Sequence, residues 1–355
     1  MTSLQDLARF MDPLDPPTSL SALVDMHRWH SRADEPGIAR MLRRHDHPKR
    51  VDIRLLWQNT FLLSSGFGIG DKPDLGPRAK AIGTLIRDRY DVAALAELFT
   101  DSERNGLLSA WPRGQRPRAF GMGPGAMESS GLLTVVNNPN LQVTRSAEAE
   151  FENEAGEDAL ADKGVRFIEI FAGPGTTHMG DGRIEIFSTH LQSGGHRDVA
   201  LAQVREFVNK IFPYFHRPEN AAILVGDFNI RPGNPEFPQA KSALESIGFR
   251  DLWETRSNTR GDTDLGERDL ALTNSICPLD PADPTLCREH GLGPRNSRRI
   301  DYAWVLEPTN EVAITIDFSR PRRVRPPDYA RGGGKVGLSS DHLGLELLIR
   351  VAASR

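Results

Sequence analysis

A small set of carboxylates, carboxamides and histidines in this chain stands at the ends of short apolar runs: Asn59, Glu97, His190, Asp227 with Asn229, Asp301, and Asp341 with His342. Each alone is weak. Gly226-Asp227-Phe228-Asn229 taken singly reads as a turn, the commoner use of Gly, Asp and Asn. Glu97 alone reads as a residue at the wet end of a strand, and a lone His190 as structural. Taken together, the set is carboxylate-rich, contains two histidines and has no thiolate. Carboxylate and amide oxygens suit Mg²⁺, or Mn²⁺, rather than a closed zinc site. Mg²⁺ takes one or two carboxylates and keeps several waters, which leaves room for a phosphate oxygen. A histidine held by a carboxylate serves as a general base on water. A second histidine stabilises charge developing on the phosphoryl or leaving group. The chemistry that uses all of these is metal-assisted in-line hydrolysis of a phosphate ester.

These residues need strands to deliver them. The stretch 222–229 runs through Ala222, Ile223, Leu224 and Val225 to the polar pair, as a buried strand would. Residues 52–57 lead to Gln58-Asn59-Thr60, and 91–95 lead to Ala96-Glu97-Leu98-Phe99. Strands are expected at 129–136, 165–171 and 183–188, the last ending in His190. Further strands are expected at 299–305, 312–318 and after Asp341-His342, where Leu343, Leu345, Leu347 and Ile349 share a face. Between them the spacing predicts a helix from Pro77 with Ala81, Ile82, Leu85 and Ile86 on its buried stripe. A second helix carries Leu201, Val204, Val208 and Ile211 and stops at Pro213. A third starts at an Asn234 N-cap with Pro235 and ends at Gly248. Residues 145–163 and 255–298 are polar and read as loops, as does the Pro-broken basic stretch 319–327. Gly66, Gly68 and Gly70 lack the spacing of a dinucleotide-binding loop.

Residues 1–50 differ from the rest, with short helical patterns separated by Pro13, Pro16 and Pro17. His27 and His30 have no third ligand nearby and read as a surface pair. The charge run 43–50 reads as a solvated linker. Over all 355 residues, 38% are hydrophobic and 26% charged, enough apolar material for a sizeable core. The net charge of -4 supplies no general attraction to nucleic acid. No apolar run approaches the ~20 residues that span a bilayer. No signal peptide is visible, so a cytoplasmic protein is expected, with Cys277 and Cys287 as free thiols.

The motifs Gln58-Asn59-Thr60, Leu95-Ala96-Glu97-Leu98-Phe99, Thr189-His190-Leu191-Gln192, Gly226-Asp227-Phe228-Asn229, Arg299-Ile300-Asp301-Tyr302 and Ser340-Asp341-His342 resemble, in order, those of the endonuclease/exonuclease/phosphatase superfamily. Within it the chain most resembles neutral sphingomyelinases, through 97–101 with Leu107-Leu108 and through a segment at 158–165 that ends in Lys163-Gly164 before a strand. The resemblance implies a deoxyribonuclease I-like fold, an α/β two-sheet sandwich flanked by helices. It implies Glu97 as the main Mg²⁺ ligand with Asn59 close to it, and Asp341 completing the surroundings of metal and base. Asp227 and Asn229 would position water and phosphate. His342 would be the general base, oriented by Asp301, and His190 would stabilise the phosphoryl group or assist the leaving group. Gln58 departs from the aromatic or small residue common before the Asn, and Ala96 from the Gln or Asn common before the Glu. Before the final Asp-His, secreted bacterial sphingomyelinases carry an aromatic hairpin. Here that interval holds Arg320, Arg322, Arg323, Arg325, Arg331 and Lys335, with no Trp or Phe after Phe318.

The expectation is therefore a helical N-terminal extension over 1–50 and a catalytic domain over 51–355. The expected activity is sphingomyelinase-like phospholipase C hydrolysis of a phosphodiester. The basic loop would face an anionic lipid surface or a nucleic-acid backbone, or stay solvated. The alternatives are a Mg²⁺-dependent nuclease and an inositol-phosphate-type phosphatase.

Overall fold

Apolar residues on both faces of the central strands dictate where those strands lie. In the strand β8 (Ala221–Asp227), Ala221, Ile223 and Val225 face one cluster of buried side chains, and Ala222 and Leu224 face another. Only a sheet covered on both sides buries such a run. The same holds in β1 (Arg50–Asn59), where Ile53, Leu55 and Trp57 face the first cluster while Leu56 faces a third. In a computed structural model, residues 50–62, 74–121, 130–155, 163–171, 183–193, 195–255, 299–308, 314–319, 321–330, 336–340 and 342–353 are described. The 1–49 extension, His27, His30, Gly66, Gly68, Gly70, Cys277, Cys287, Arg320, Arg331, Lys335 and Asp341 lie outside them.

In chain order the remaining elements begin with α1 (Leu75–Arg89), β2 (Val92–Ala96), α2 (Asp101–Leu108), β3 (Arg118–Phe120) and β4 (Leu133–Val136). There follow β5 (Gln142–Glu150), β6 (Gly164–Phe171), β7 (Arg183–His190), α3 (Arg197–Glu206), a π-helical turn over Phe207–Ile211, and α4 (Phe212–Phe215). After β8 come α5 (Phe237–Ser246), β9 (Arg250–Asp251), α6 (Leu252–Thr255), β10 (Asp301–Leu306), β11 (Ile314–Phe318), β12 (Arg322–Val324), β13 (Asp328–Ala330), β14 (Val336–Leu338) and β15 (Gly344–Ala353). One sheet has the order β11-β15-β1-β2-β4-β3, with β12 also paired to β15. The other has the order β5-β6-β7-β8-β10-β9. The cluster between the sheets holds Leu55, Trp57, Val92 and Ala94 from the first and Ile168, Ile186, Ile223 and Val305 from the second. Helices α1 and α2 cover the first sheet's outer face, and α3, α4 and α5 the second's. The fold is the expected two-sheet α/β sandwich. Among the described residues no helix is long and apolar enough to cross a membrane.

Each sheet contains one parallel pair, β1 with β2 and β7 with β8. Parallel neighbours end together, and these four strands end at one edge of the sandwich. Strands β10 and β15 run antiparallel to β8 and β1, so their first residues return to that edge. Topology alone therefore collects Asn59, Glu97, His190, Asp227, Asp301 and His342. At the opposite end the buried carboxylates of Glu169 and Glu185 are matched by Arg145, Arg183, Asn220 and His216, which keeps those charges paired.

Four local expectations are corrected. The segment read as a loop over 145–163 begins with strand β5, because its charged Glu148 is neutralised across the ladder by Arg166 and bonded by the Ser130 hydroxyl. The helix expected to stop at Pro213 runs on to Phe215. Pro lacks only a donor that a first turn leaves spare, and Pro213 falls in the first turn of α4. The extra residue of the preceding π-turn keeps Phe207, Val208, Ile211 and Phe212 all turned inward. Asn234 does not cap α5. Its side-chain oxygen accepts the Arg231 N–H, and the helix starts at Phe237 with Pro238 in its first turn. The basic stretch 319–327 contains strand β12, whose Val324 lies opposite Gly344.

Gly226 shows how closely β7 and β8 approach beside the site. A Cβ there would lie 2.6 Å from both the Cγ2 and the backbone O of Thr189. Gly226→Ala is expected to force the two strands apart and lower stability by about 1–3 kcal/mol, the usual cost of overpacking. A chemical denaturation curve with an unchanged midpoint would contradict this close approach.

Candidate active site

Asp227 is the middle of the site. In the ladder it sits between His190 of β7 and Asp301 of β10. Its Oδ1 accepts the backbone N–H of Asn229 at 3.0 Å, an Asx turn that bends the chain at φ 51° on Asn229. Its Oδ2 accepts Nδ2–H of Asn59 at 3.2 Å. The Nε2 atoms of His190 and His342 each lie 3.8 Å from that same Oδ2. Burial first, and the Asp301 charge second, raise the Asp227 carboxyl well above the usual carboxylate range. The charge of His342 and the two hydrogen bonds work against that rise.

His342 precedes β15 and reaches across to the other sheet. Its Nδ1 is 2.9 Å from Asp301 Oδ2, and Asp301 Oδ1 accepts the indole N–H of Trp57 at 2.8 Å. A carboxylate on Nδ1 holds the proton there and leaves the Nε2 lone pair facing the site. The turn that carries the ring is tied to the end of β1. Ser340 Oγ donates to Asn59 O at 2.7 Å and accepts the His342 N–H at 3.0 Å.

Glu97 follows β2 with φ 63°, a backbone region that a Glu rarely enters. The ladder continues on both sides of it, through Thr60 N–H to Ala96 O and Leu98 N–H to Gly131 O. The Glu97 peptide is thus the odd residue between two fixed neighbours, and strain of this kind gathers at functional sites. Asn59 Nδ2 donates at 2.9 Å to Glu97 Oε1, so a single carboxamide NH₂ bridges the Glu97 and Asp227 carboxylates.

His190 has a partner that residue spacing did not reveal. Lys163, buried just ahead of β6, places Nζ 3.1 Å from His190 Nδ1. An ammonium has only protons to offer, so Nδ1 is the acceptor and the imidazole proton sits on Nε2. Burial, then the charge of Lys163, then that of His342, push the His190 pKa well below 6.5, so the ring is neutral. The two histidines facing Asp227 therefore hold opposite tautomers. His342 presents a lone pair and His190 presents an N–H.

The donor chemistry fits a hard divalent cation. Glu97 and Asp227 bring two buried carboxylates to one carboxamide. Among the described residues, ligand atoms of Asp227, Asp301 and His342 also lie within 4.8 Å of one another. Both Asp301 oxygens already accept N–H bonds, so that triad is better occupied in orienting His342. Glu97 and Asp227, bridged by the Asn59 carboxamide, are the carboxylates whose chemistry fits such a cation.

The structure thus gathers Asn59, Glu97, His190, Asp227, Asn229, Asp301 and His342, while Asp341 lies outside the described residues. The Asn59 side-chain oxygen accepts the Phe61 N–H at 3.1 Å, and it is the amide nitrogen that faces Glu97. Asn229 uses one amide donor on Leu191 O at 2.9 Å. Trp57 escaped sequence reasoning because a Trp in a buried strand reads as core. Lys163 left a fainter trace, as part of a Lys-Gly pair opening a strand.

Residues 60–342 match the Endonuclease/Exonuclease/phosphatase family, and the chain belongs to it. Members of that family hydrolyse phosphoric ester bonds. Solved structures share the fold. Zebrafish (D. rerio) TDP2 complexed with a single-strand DNA product superposes with a TM-score of 0.58 at 16% identity, covering 84% of this chain and 98% of that one. A mutant of beta toxin from Staphylococcus aureus with bound magnesium ions gives 0.56 at 17% identity, covering 86% and 100%. Sphingomyelinase C from Streptomyces griseocarneus gives 0.53 at 18%, also covering 86% and 100%. No curated protein sequence matches.

Lys163→Met tests the tautomer assignment. Removing the ammonium removes the second-largest influence holding the His190 pKa down, so the midpoint of His190 rises while burial keeps it below the ordinary value. Imidazole NMR titration of the metal-free protein measures this directly. A midpoint that stays or falls would contradict the assignment.

Proposed function

We propose that this protein is a Mg²⁺-dependent phosphodiester hydrolase, acting as a sphingomyelinase-like phospholipase C on a phospholipid or related diester. The observation that carries the hydrolytic reading is the pair of opposed imidazoles across Asp227. A separation of 3.8 Å between His342 Nε2 and Asp227 Oδ2 is too long for a direct hydrogen bond. It suits one water oxygen that reaches both. Such a water attacks phosphorus in line. Its oxygen bonds to phosphorus as the bond to the leaving oxygen breaks, and its proton passes to Nε2 of His342. Asp301 holds the imidazolium that forms. The His190 Nε2–H, kept as a donor by Lys163, hydrogen-bonds a phosphoryl oxygen as charge grows there. Glu97 and Asp227, both bonded by the Asn59 carboxamide, would hold Mg²⁺, which when bound would neutralise charge on the phosphate.

The phospholipid reading is supported by the Lys163-Gly164 lead into β6, the segment that resembles neutral sphingomyelinases, and by the likeness in fold to a sphingomyelinase C. One observation favours a nuclease. The β12 pairing sets the exposed Arg322 and Arg325 near the end of β15 that follows His342, as an anionic backbone would require.

The test is a substrate panel of sphingomyelin, lysophospholipid, supercoiled DNA and inositol phosphates, each with Mg²⁺ and with EDTA. Phosphocholine release that needs Mg²⁺ is expected. Glu97→Gln is expected to lose about a hundredfold or more in kcat, the scale of losing one electrostatic stabiliser of the transition state. Mg²⁺-dependent nicking of DNA without phosphocholine release would overturn the lipid assignment. Phosphate release without diester cleavage would overturn the diester assignment.

A further inference from the structure

Gln58 is buried, with 1% of its surface exposed. Its carboxamide lies beneath the turn that carries His342. Nε2 donates to Asn59 O at 2.5 Å and to His342 O at 3.0 Å. Two carbonyl oxygens on one side fix which end of the amide faces them, because a flipped oxygen would meet two acceptors. Gln58 Oε1 is buried on the other side with no hydrogen-bond partner. Leaving a polar atom so placed is costly, and a Leu or Met of similar size would avoid the cost. The residue therefore gives up stability to keep its two donor bonds. Those bonds join the strand end that carries Asn59 to the backbone of the residue that carries the base.

We propose that Gln58 is a positioning residue for His342. It works with two other ties on the same turn. Ser340 grips Asn59 O, and the buried Arg78 of α1 donates to Ser339 O at 3.0 Å and Phe61 O at 2.5 Å. The Gln58 side chain reaches the backbone oxygen of His342 itself. Without it the ring keeps Asp301 on Nδ1 and Ser340 on its backbone N–H but loses the tie at its own carbonyl, which helps set the height of Nε2 over Asp227. Gly344 belongs to the same device. A Cβ at that position would lie 2.7 Å from Gln58 Oε1, so only glycine leaves the carboxamide in place.

This inference rests on the hydrolytic reading, so its test includes a readout that needs no activity. Gln58→Leu keeps the volume and removes both donors. In it, kcat on a soluble diester such as bis(p-nitrophenyl) phosphate is expected to fall about ten- to a hundredfold, the penalty for a reacting group displaced by a fraction of an ångström to an ångström. KM should change less than about threefold, because ground-state binding does not use the tie. Gly344→Ala, whose Cβ presses first on the carboxamide and also lies 3.0 Å from Leu56 Cδ1 and Trp57 O, should lower kcat in the same direction. In a His342→Ala background Gln58→Leu should cost nothing more, because it acts through that ring. Independently of turnover, the downfield proton resonance of the His342 Nδ1–H held by Asp301 should shift or broaden in Gln58→Leu. An unmoved resonance overturns the proposal, as does an equal further loss in the His342→Ala background or a raised KM with kcat intact. If the unaltered protein cleaves no diester, the hydrolytic reading fails, and the resonance still decides whether Gln58 positions the ring.

Discussion

The arrangement depends on one buried carboxylate that joins the two sheets. Asp301 begins a strand of the second sheet, yet both its oxygens accept from the first, one from the Trp57 indole and one from the His342 ring. A buried carboxylate is tolerated when its hydrogen-bonding capacity is met. Here meeting it also fixes the register of one sheet on the other at the edge where chemistry would occur. Packing between the sheets, through residues such as Leu55, Ile223 and Val305, brings the strand ends close. The Asp301 bonds decide how they face.

From that constraint the division of labour follows. Asp301 leaves His342 with an acceptor at Nε2, and Lys163 leaves His190 with a donor at Nε2. Two identical side chains, each 3.8 Å from one Asp227 oxygen, are thereby set to opposite tasks. Distances to Asp227 cannot distinguish them; the partner on the far nitrogen does. The strained Glu97 backbone and the shared carboxamide of Asn59 place a second carboxylate beside the first, an arrangement that calls for a cation.

Much of this was legible in the residues. The runs before Glu97 and Asp227 read as buried strands because both faces of each are apolar, and those before Asn59 and His190 read as strands because apolar and polar residues alternate in them. The β5 strand was not legible, since Glu148 is charged and its neutraliser, Arg166, is distant in sequence. The start of α5 was misplaced because Asn234-Pro235 imitates a cap, while the Asn side chain closes a local turn on Arg231 instead. Lys163, Trp57 and Gln58 act through contacts across strands and sheets, which linear spacing does not encode. Tautomers lie further still from sequence, because they depend on which atom faces which.

The most direct measurement is kcat of Asp301→Asn on a phosphodiester that the unaltered protein cleaves with Mg²⁺. The amide keeps the shape and the Trp57 bond but can turn a donor toward His342 Nδ1, which drives the ring proton to Nε2 and removes the lone pair that faces Asp227. A fall of about 10³- to 10⁴-fold, with little change in KM and an unchanged fold by circular dichroism, is expected when an orienting carboxylate is neutralised. A variant that folds and keeps the rate of the unaltered protein would contradict it.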